Sequence, residues 1–256
     1  MKCFKYLFIF YFSLFYLCFF AVAEDKEWDQ TVQYESCLNL AKNNPKKGYD
    51  EALKWFSSDG HMASRHCMAI AMLSLGYNEK SASLFEALEG DITKVQLHLR
   101  SQILGQAGQA WFLAGQLKQA TLVLNKAIAL YPSDPELYLD RAVTRIERLQ
   151  YSQALNDLNQ AIKLDLNFGD AYLYRASVKR YINDLHGALD DIDRVLELIP
   201  MLPAAVLERG IIKNSIGDFV GGRQDLEQVI NDVPISNEAD IARARLNKLN
   251  KIINAR

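Results

Sequence analysis

The chain has 256 residues, 50% of them hydrophobic and 23% charged, with a formal net charge of −2. So weak a balance argues against a nucleic-acid partner, which selects for a concentrated basic patch, while the length is enough to bury a sizeable core. The opening stretch, Met1 to Ala23, begins with the basic Lys2 and Lys5. It runs through an uncharged, Phe-, Leu- and Tyr-rich segment from Tyr6 to Phe20 and ends on Ala21, Val22 and Ala23 ahead of Glu24 and Asp25. This is the layout of a secretory signal peptide, residues 1–23, cleaved after Ala23. About 15 apolar residues are few for a membrane span, which needs about 20, and retention as an anchor through residues 6–20 is the alternative. Tyr16 and Leu17 precede Cys18 where lipid attachment would require small residues. Cleavage would remove Lys2 and Lys5 from the 29 basic residues, leaving 27 against 31 acidic ones, a balance of −4.

From Trp28 to Asn43, the apolar Val32, Leu38 and Leu40 and the small Ala41 suit a helix, which Asn43-Asn44-Pro45 breaks. Tyr49 to Ser57 restarts it, and His61 to Leu75 with Glu79 to Leu88 form a further helical pair. Cys3 and Cys18 leave with the signal, so Cys37 and Cys67 remain as the only cysteines. They are read as a disulfide tying the first helix to the third, which closes a loop of about 30 residues and restricts the unfolded chain by about 3–4 kcal/mol in an oxidising compartment. Two free thiols are one alternative, and a metal site adding His61 and His66 is another. Those histidines are five positions apart on poorly matched helix faces and no C-x-x-C accompanies them, so no metal is expected.

From Ser101 to about Ser236 the sequence repeats every 34 residues, with copies beginning at Ser101, Pro135, Gly169 and Pro203. Position 8 of each copy is Gly108, Ala142, Ala176 or Gly210, and position 20 is Ala120, Ala154, Ala188 or Gly222. Small residues are needed there because two helices cross, and a larger side chain would force them apart in a close-packed interior. Gly115, Leu149, Asn183 and Gly217 share the turn at position 15, and Pro132, Pro200 and Pro234 end the second helix at position 32.

The period, the small residues at 8 and 20 and the closing proline, as in AWFLAGQLKQATLVLNKAIALYPSDP, together resemble the tetratricopeptide repeat over more than half of the chain. The resemblance implies an all-α fold, a right-handed TPR-like α-solenoid of antiparallel helix pairs, with four repeats in residues 98–236. Residues 24–97 would then be degenerate hairpins of the same kind, with Gly76 and Phe85 in register but Ser81 where position 20 calls for alanine. Gly76 to Gly115 is 39 residues, five more than the period, which places a longer connector around Gly90 to Leu97. Residues 237–256 form an amphipathic helix with Ile241, Ala244, Leu246, Leu249, Ile252 and Ile253 on one side and Arg243, Arg245, Lys248 and Lys251 between them. A C-terminal cap over Leu226, Val229 and Ile230 is the expected role, and contact with an anionic membrane is the alternative.

Two charges also recur at the period, Arg141, Arg175 and Arg209 at position 7 and Asp157, Asp191 and Asp225 at position 23. Opposite charges repeating at one interval read as an Arg–Asp pair that fixes helix register in each copy. No phosphate-cradling glycine loop, G-x-S-x-G or H-E-x-x-H is present, and His66 and Cys67, adjacent on a helix, point about 100° apart. No catalytic residue and no cofactor is expected, and the chain is not read as an enzyme.

Function then falls to the concave face, which the resemblance assigns to the first helix of each pair, mainly at positions 2, 5, 6, 9, 12 and 13; a partner on the convex side, with the inner carboxylates only keeping that face soluble, is the alternative. The partner-binding residues expected there are Gln109, Phe112, Glu136, Asp140, Glu147, Asp170, Tyr174, Tyr181 and Glu208. Aromatic anchors among carboxylates suit a neutral or basic peptide or protein segment. The Lys and Asn clamp with which some relatives hold an acidic C-terminal tail is absent, since positions 5 and 9 hold Gly105 and Gln109, Leu139 and Val143, and Leu173 and Ser177. The expected function is a non-catalytic interaction scaffold or adaptor of the cell envelope, exported to the periplasm. A membrane-anchored assembly factor or subunit of an envelope complex is the alternative.

Overall fold

The computed structural model describes residues 32–59 and 62–254, and every regular element among them is a helix. The expected signal or anchor and His61 lie outside the described residues. Among the described residues, no helix is long and apolar enough to cross a membrane.

Contacts divide the chain into two compact units, Met1–Lys94 and Val95–Arg256. The first contains α1 (residues 32–43), α2 (Pro45–Asp59), α3 (Met62–Ser74) and α4 (Asn78–Asp91). The sequence suggested a restart at Tyr49, but α2 begins at Pro45. Proline is well suited to the first helical turn, where its missing amide is not needed, so the break shrinks to Asn44. Cys37 and Cys67 are joined, Cα–Cα 6.1 Å, linking α1 to α3 in a core with Ala41, Ala52, Trp55 and Ala71. Ser81, the exception at position 20, is fully buried and donates its hydroxyl to the Ala69 carbonyl at 2.8 Å. A hydroxyl is therefore accommodated at the crossing without an unsatisfied donor.

The second unit holds α5 (Leu97–Leu113), α6 (Leu117–Leu130), α7 (Pro135–Glu147), α8 (Tyr151–Leu164), α9 (Gly169–Tyr181), α10 (Leu185–Leu198), α11 (Pro203–Ile216), α12 (Phe219–Asp232) and α13 (Asn237–Asn254). Helix α5 starts one turn before the first repeat position. Consecutive helices pack as antiparallel pairs, α5 with α6, α7 with α8, α9 with α10 and α11 with α12, as in a TPR-like α-solenoid. The small residues sit at the crossings. A Cβ on Gly222 would lie 2.3 Å from Asn214 Oδ1 and 2.9 Å from the Gly210 carbonyl. Helix α13 packs on α11 and α12 and brings Ala242 against Leu226 and Val229, so the last pair is covered.

All four turns at position 15 are left-handed, with φ of 74° at Gly115, 58° at Leu149, 67° at Asn183 and 93° at Gly217. Glycine adopts this region freely and leucine pays a steric penalty, so the geometry is imposed by the pairing of the helices rather than chosen by Leu149.

The charged register pairs form a ladder through the second unit. Arg141 Nη2 donates to Asp157 at 2.7 Å, Arg175 to Asp191 at 2.6 Å and Arg209 to Asp225 at 2.8 Å, each with a second bond from Nε. Each aspartate also meets a second cation, Arg145, Lys179 or Lys213, at 2.6–2.9 Å. Two rungs reach back across repeats, with Arg141 Nη1 donating to Asn125 at 2.7 Å and Arg175 Nη1 to Asn159 at 2.8 Å. The first repeat has Ala107 and Val123 at the two positions instead, both buried. The ladder therefore begins at α7.

Candidate partner-binding groove

First helices touch one another in turn, α5 with α7, α7 with α9 and α9 with α11, while each second helix packs on the first helices that flank it. The first helices thus form the inner layer of the second unit, and their free faces are continuous.

A cleft of about 480 Å³ opens in that layer. Its apolar walls are Phe112 and Leu113 from α5, Leu124 from α6, Leu139 and Val143 from α7, and Leu173 from α9. Its polar groups are Gln109, Asp140, Thr144, Asp170 and Tyr174. Gly108 helps to form it, since a Cβ there would press on the Leu124 side chain at 2.6 Å. Two glycines, Gly105 and Gly108, weaken α5 as a helix by about 1 kcal/mol each while admitting Leu137 and Leu124 close to its backbone.

Asp140 dominates the electrostatics. It is half-buried and accepts a hydrogen bond from Gln109 Nε2 at 2.9 Å. Burial, assisted by the charges of Glu136 and Asp134, pushes its carboxyl up to about 7. Burial also raises Glu136, which lies close enough to Asp134, Asp170 and Asp165 to feel their charge. The Tyr174 hydroxyl is raised by burial and then by the charges of Asp170, Asp140 and Glu147. No ion pair reaches Glu136, Asp140 or Asp170 among the described residues.

Five of the nine residues expected in the groove, Gln109, Phe112, Asp140, Asp170 and Tyr174, line this one cleft. Glu136 and Glu147 stand exposed nearby on α7. The other two are engaged elsewhere. Glu208 is buried and accepts from Arg180 Nε at 2.6 Å, so it brings no free charge to the inner face. Tyr181 stacks on Tyr151 with ring centroids 5.5 Å apart, and the Arg180 guanidinium lies 4.5 Å from its centre. The walls Leu113, Leu124 and Thr144 were not singled out from sequence. Leu124 belongs to a second helix and shows through only because Gly108 is small.

No family model and no curated protein matches the sequence. Solved structures do match it. PilF of Pseudomonas aeruginosa is 12% identical, the match covering 85% of this chain and 99% of that one at a TM-score of 0.65. A chain of the APC/C Cut9–Hcn1 heterotetramer is 13% identical, with 88% and 45% covered, at 0.66. YrrB, described as a TPR protein with an unusual peptide-binding site, is 17% identical, with 75% and 97% covered, at 0.55. At such identities the likeness is one of fold alone.

Proposed function

We propose that this chain is a tetratricopeptide-repeat protein and an exported, non-catalytic adaptor that holds a neutral or basic segment of a partner protein on the inner face of its second unit. The observation that supports this reading is the cleft itself, an apolar floor with Asp140 and Asp170 in its lining and Glu136 close by, none of them in an ion pair among the described residues. An apolar floor supplies affinity when water is displaced, and unpaired carboxylates supply selection by charge. Export to the periplasm is favoured by residues 1–23 and by the Cys37–Cys67 bond, which persists in oxidising compartments.

Exchanging Glu136, Asp140 and Asp170 together for lysine is expected to abolish recovery of the partner while leaving helical content unchanged. Undiminished recovery removes the groove from the account. A second reading, an anchored assembly factor or subunit of an envelope complex, is supported by the apolar run from Tyr6 to Phe20. The intact mass of the exported protein separates the two, because cleavage after Ala23 removes that run.

A further inference from the structure

Resting on the groove reading, we infer that the cleft is a receptor for one lysine or arginine side chain of the bound segment. Its aliphatic stem lies along Phe112, Leu139 and Val143, and its charged head is held by Asp140 and Asp170 beside Tyr174. The lining discriminates between possible occupants. A carboxylate terminus would meet Glu136, Asp140 and Asp170 and be repelled. An aromatic or aliphatic side chain would satisfy the floor but complete the desolvation of Asp140 with no counter-charge, which is costly for an ion and forces it to take up a proton. A side chain with an apolar stem and a cationic tip meets both demands at once. The stem covers the floor, the head makes charge-assisted hydrogen bonds, and the Tyr174 ring offers a cation–π face.

The groups that face Asp140 make this selection steep. Gln109 reaches it from α5, Glu136 acts on it from its own helix and Asp134 from the cap that precedes that helix, and Asp170 and Tyr174 line the same cleft from α9, while α6 contributes only the apolar Leu124. None is cationic. In the free protein the Asp140 carboxyl titrates at about 7 and is therefore about half protonated at neutral pH. A cation in the cleft binds the ionised form and expels the proton, so binding and deprotonation are linked.

The probes are Nα-acetyl-lysine methylamide and its uncharged counterpart Nα-acetyl-norleucine methylamide, titrated at millimolar concentrations into the full-length protein and followed by residue-resolved NMR. The lysine derivative is expected to shift Gln109, Val143 and Tyr174. Its affinity should rise roughly tenfold from about one pH unit below to about one unit above 7, as the ionised fraction of Asp140 rises from about a tenth to about nine tenths. Asp140→Asn should remove that pH dependence, and the norleucine derivative should bind more weakly at every pH. Equal binding of the two probes, a pH-independent lysine affinity or the absence of shifts at these residues overturns the inference. A negative probe result combined with partner recovery that depends on Glu136, Asp140 and Asp170 overturns the cation receptor alone. Partner recovery indifferent to those three residues, with a positive probe result, overturns the groove reading instead.

Discussion

Replacing Asp157 by valine should be the most damaging single change on the ladder. Its carboxylate is 3% exposed and accepts from Arg141 Nε at 3.1 Å, Arg141 Nη2 at 2.7 Å and Arg145 Nη1 at 2.6 Å. Removing it leaves two guanidinium groups, each only 15–17% exposed, without their shared anion. Breaking a buried pair from one side costs about 3–5 kcal/mol, most of it the desolvation of the charge left behind. The chain contains its own control. The first repeat carries Ala107, Trp111 and Val123 where the second carries Arg141, Arg145 and Asp157. The triple variant Arg141→Ala, Arg145→Trp, Asp157→Val should therefore regain most of the loss, because apolar replacements of similar volume remove the uncompensated charges together. Urea unfolding followed by circular dichroism gives the totals, and hydrogen exchange in α7 and α8 shows whether the loss is local, as expected when each repeat depends on its neighbours. Asp190→Val, an exposed aspartate on α10, is the reference and should stay within about 0.5 kcal/mol. A loss below about 1 kcal/mol for Asp157→Val, or a triple variant no better than the single, would refute the ladder as a source of stability.

Leu149→Gly should stabilise the second unit by about 0.5–1 kcal/mol. A left-handed leucine costs about 1–2 kcal/mol against about 0.5–1 for the added freedom of glycine when unfolded, and Leu149 is 72% exposed, with little packing to lose. A fall in melting temperature would contradict this. Gly222→Ala should lose about 1–3 kcal/mol, since its Cβ would collide with Asn214 and the Gly210 carbonyl, and thermal unfolding checks it. Asp140 has a raised carboxyl, so its protonated form stabilises the fold. That contribution is fully present below the unfolded value of about 4 and is lost as pH rises through about 7. Asp140→Asn should accordingly raise stability by about 1–2 kcal/mol above neutrality, discounted for its partial exposure, and by almost nothing in mild acid, as denaturant midpoints at the two pH values would show. Reduction of Cys37–Cys67 should cost the first unit about 3–4 kcal/mol for a closed loop of 30 residues, visible as accelerated hydrogen exchange around Ala41 and Trp55.

The architecture was legible because it rests on spacing. Small residues at Gly108, Ala142, Ala120 and Ala154 mark crossings whatever surrounds them, and Arg and Asp sixteen positions apart meet wherever that crossing recurs. The site was legible in part. Asp140, Asp170 and Tyr174 share a face by helical period and do line one cleft. Glu208 and Tyr181 follow the same period, yet Arg180 neutralises the first and Tyr151 stacks on the second. Those partners come from another repeat and another helix, so no local pattern signals them. The titration of Asp140 was equally out of reach, because it follows from how deeply three helices bury one carboxylate.

Photocrosslinking from the inner layer tests the central claim most directly, with a photoreactive residue at Tyr174 compared against one at the exposed Asn156 on α8. The account predicts one partner segment joined at position 174, with a lysine or arginine within a few residues of the crosslink, and lost when Glu136, Asp140 and Asp170 are exchanged for lysine. The same segment captured equally from position 156, or captured at 174 regardless of the three carboxylates, would contradict it.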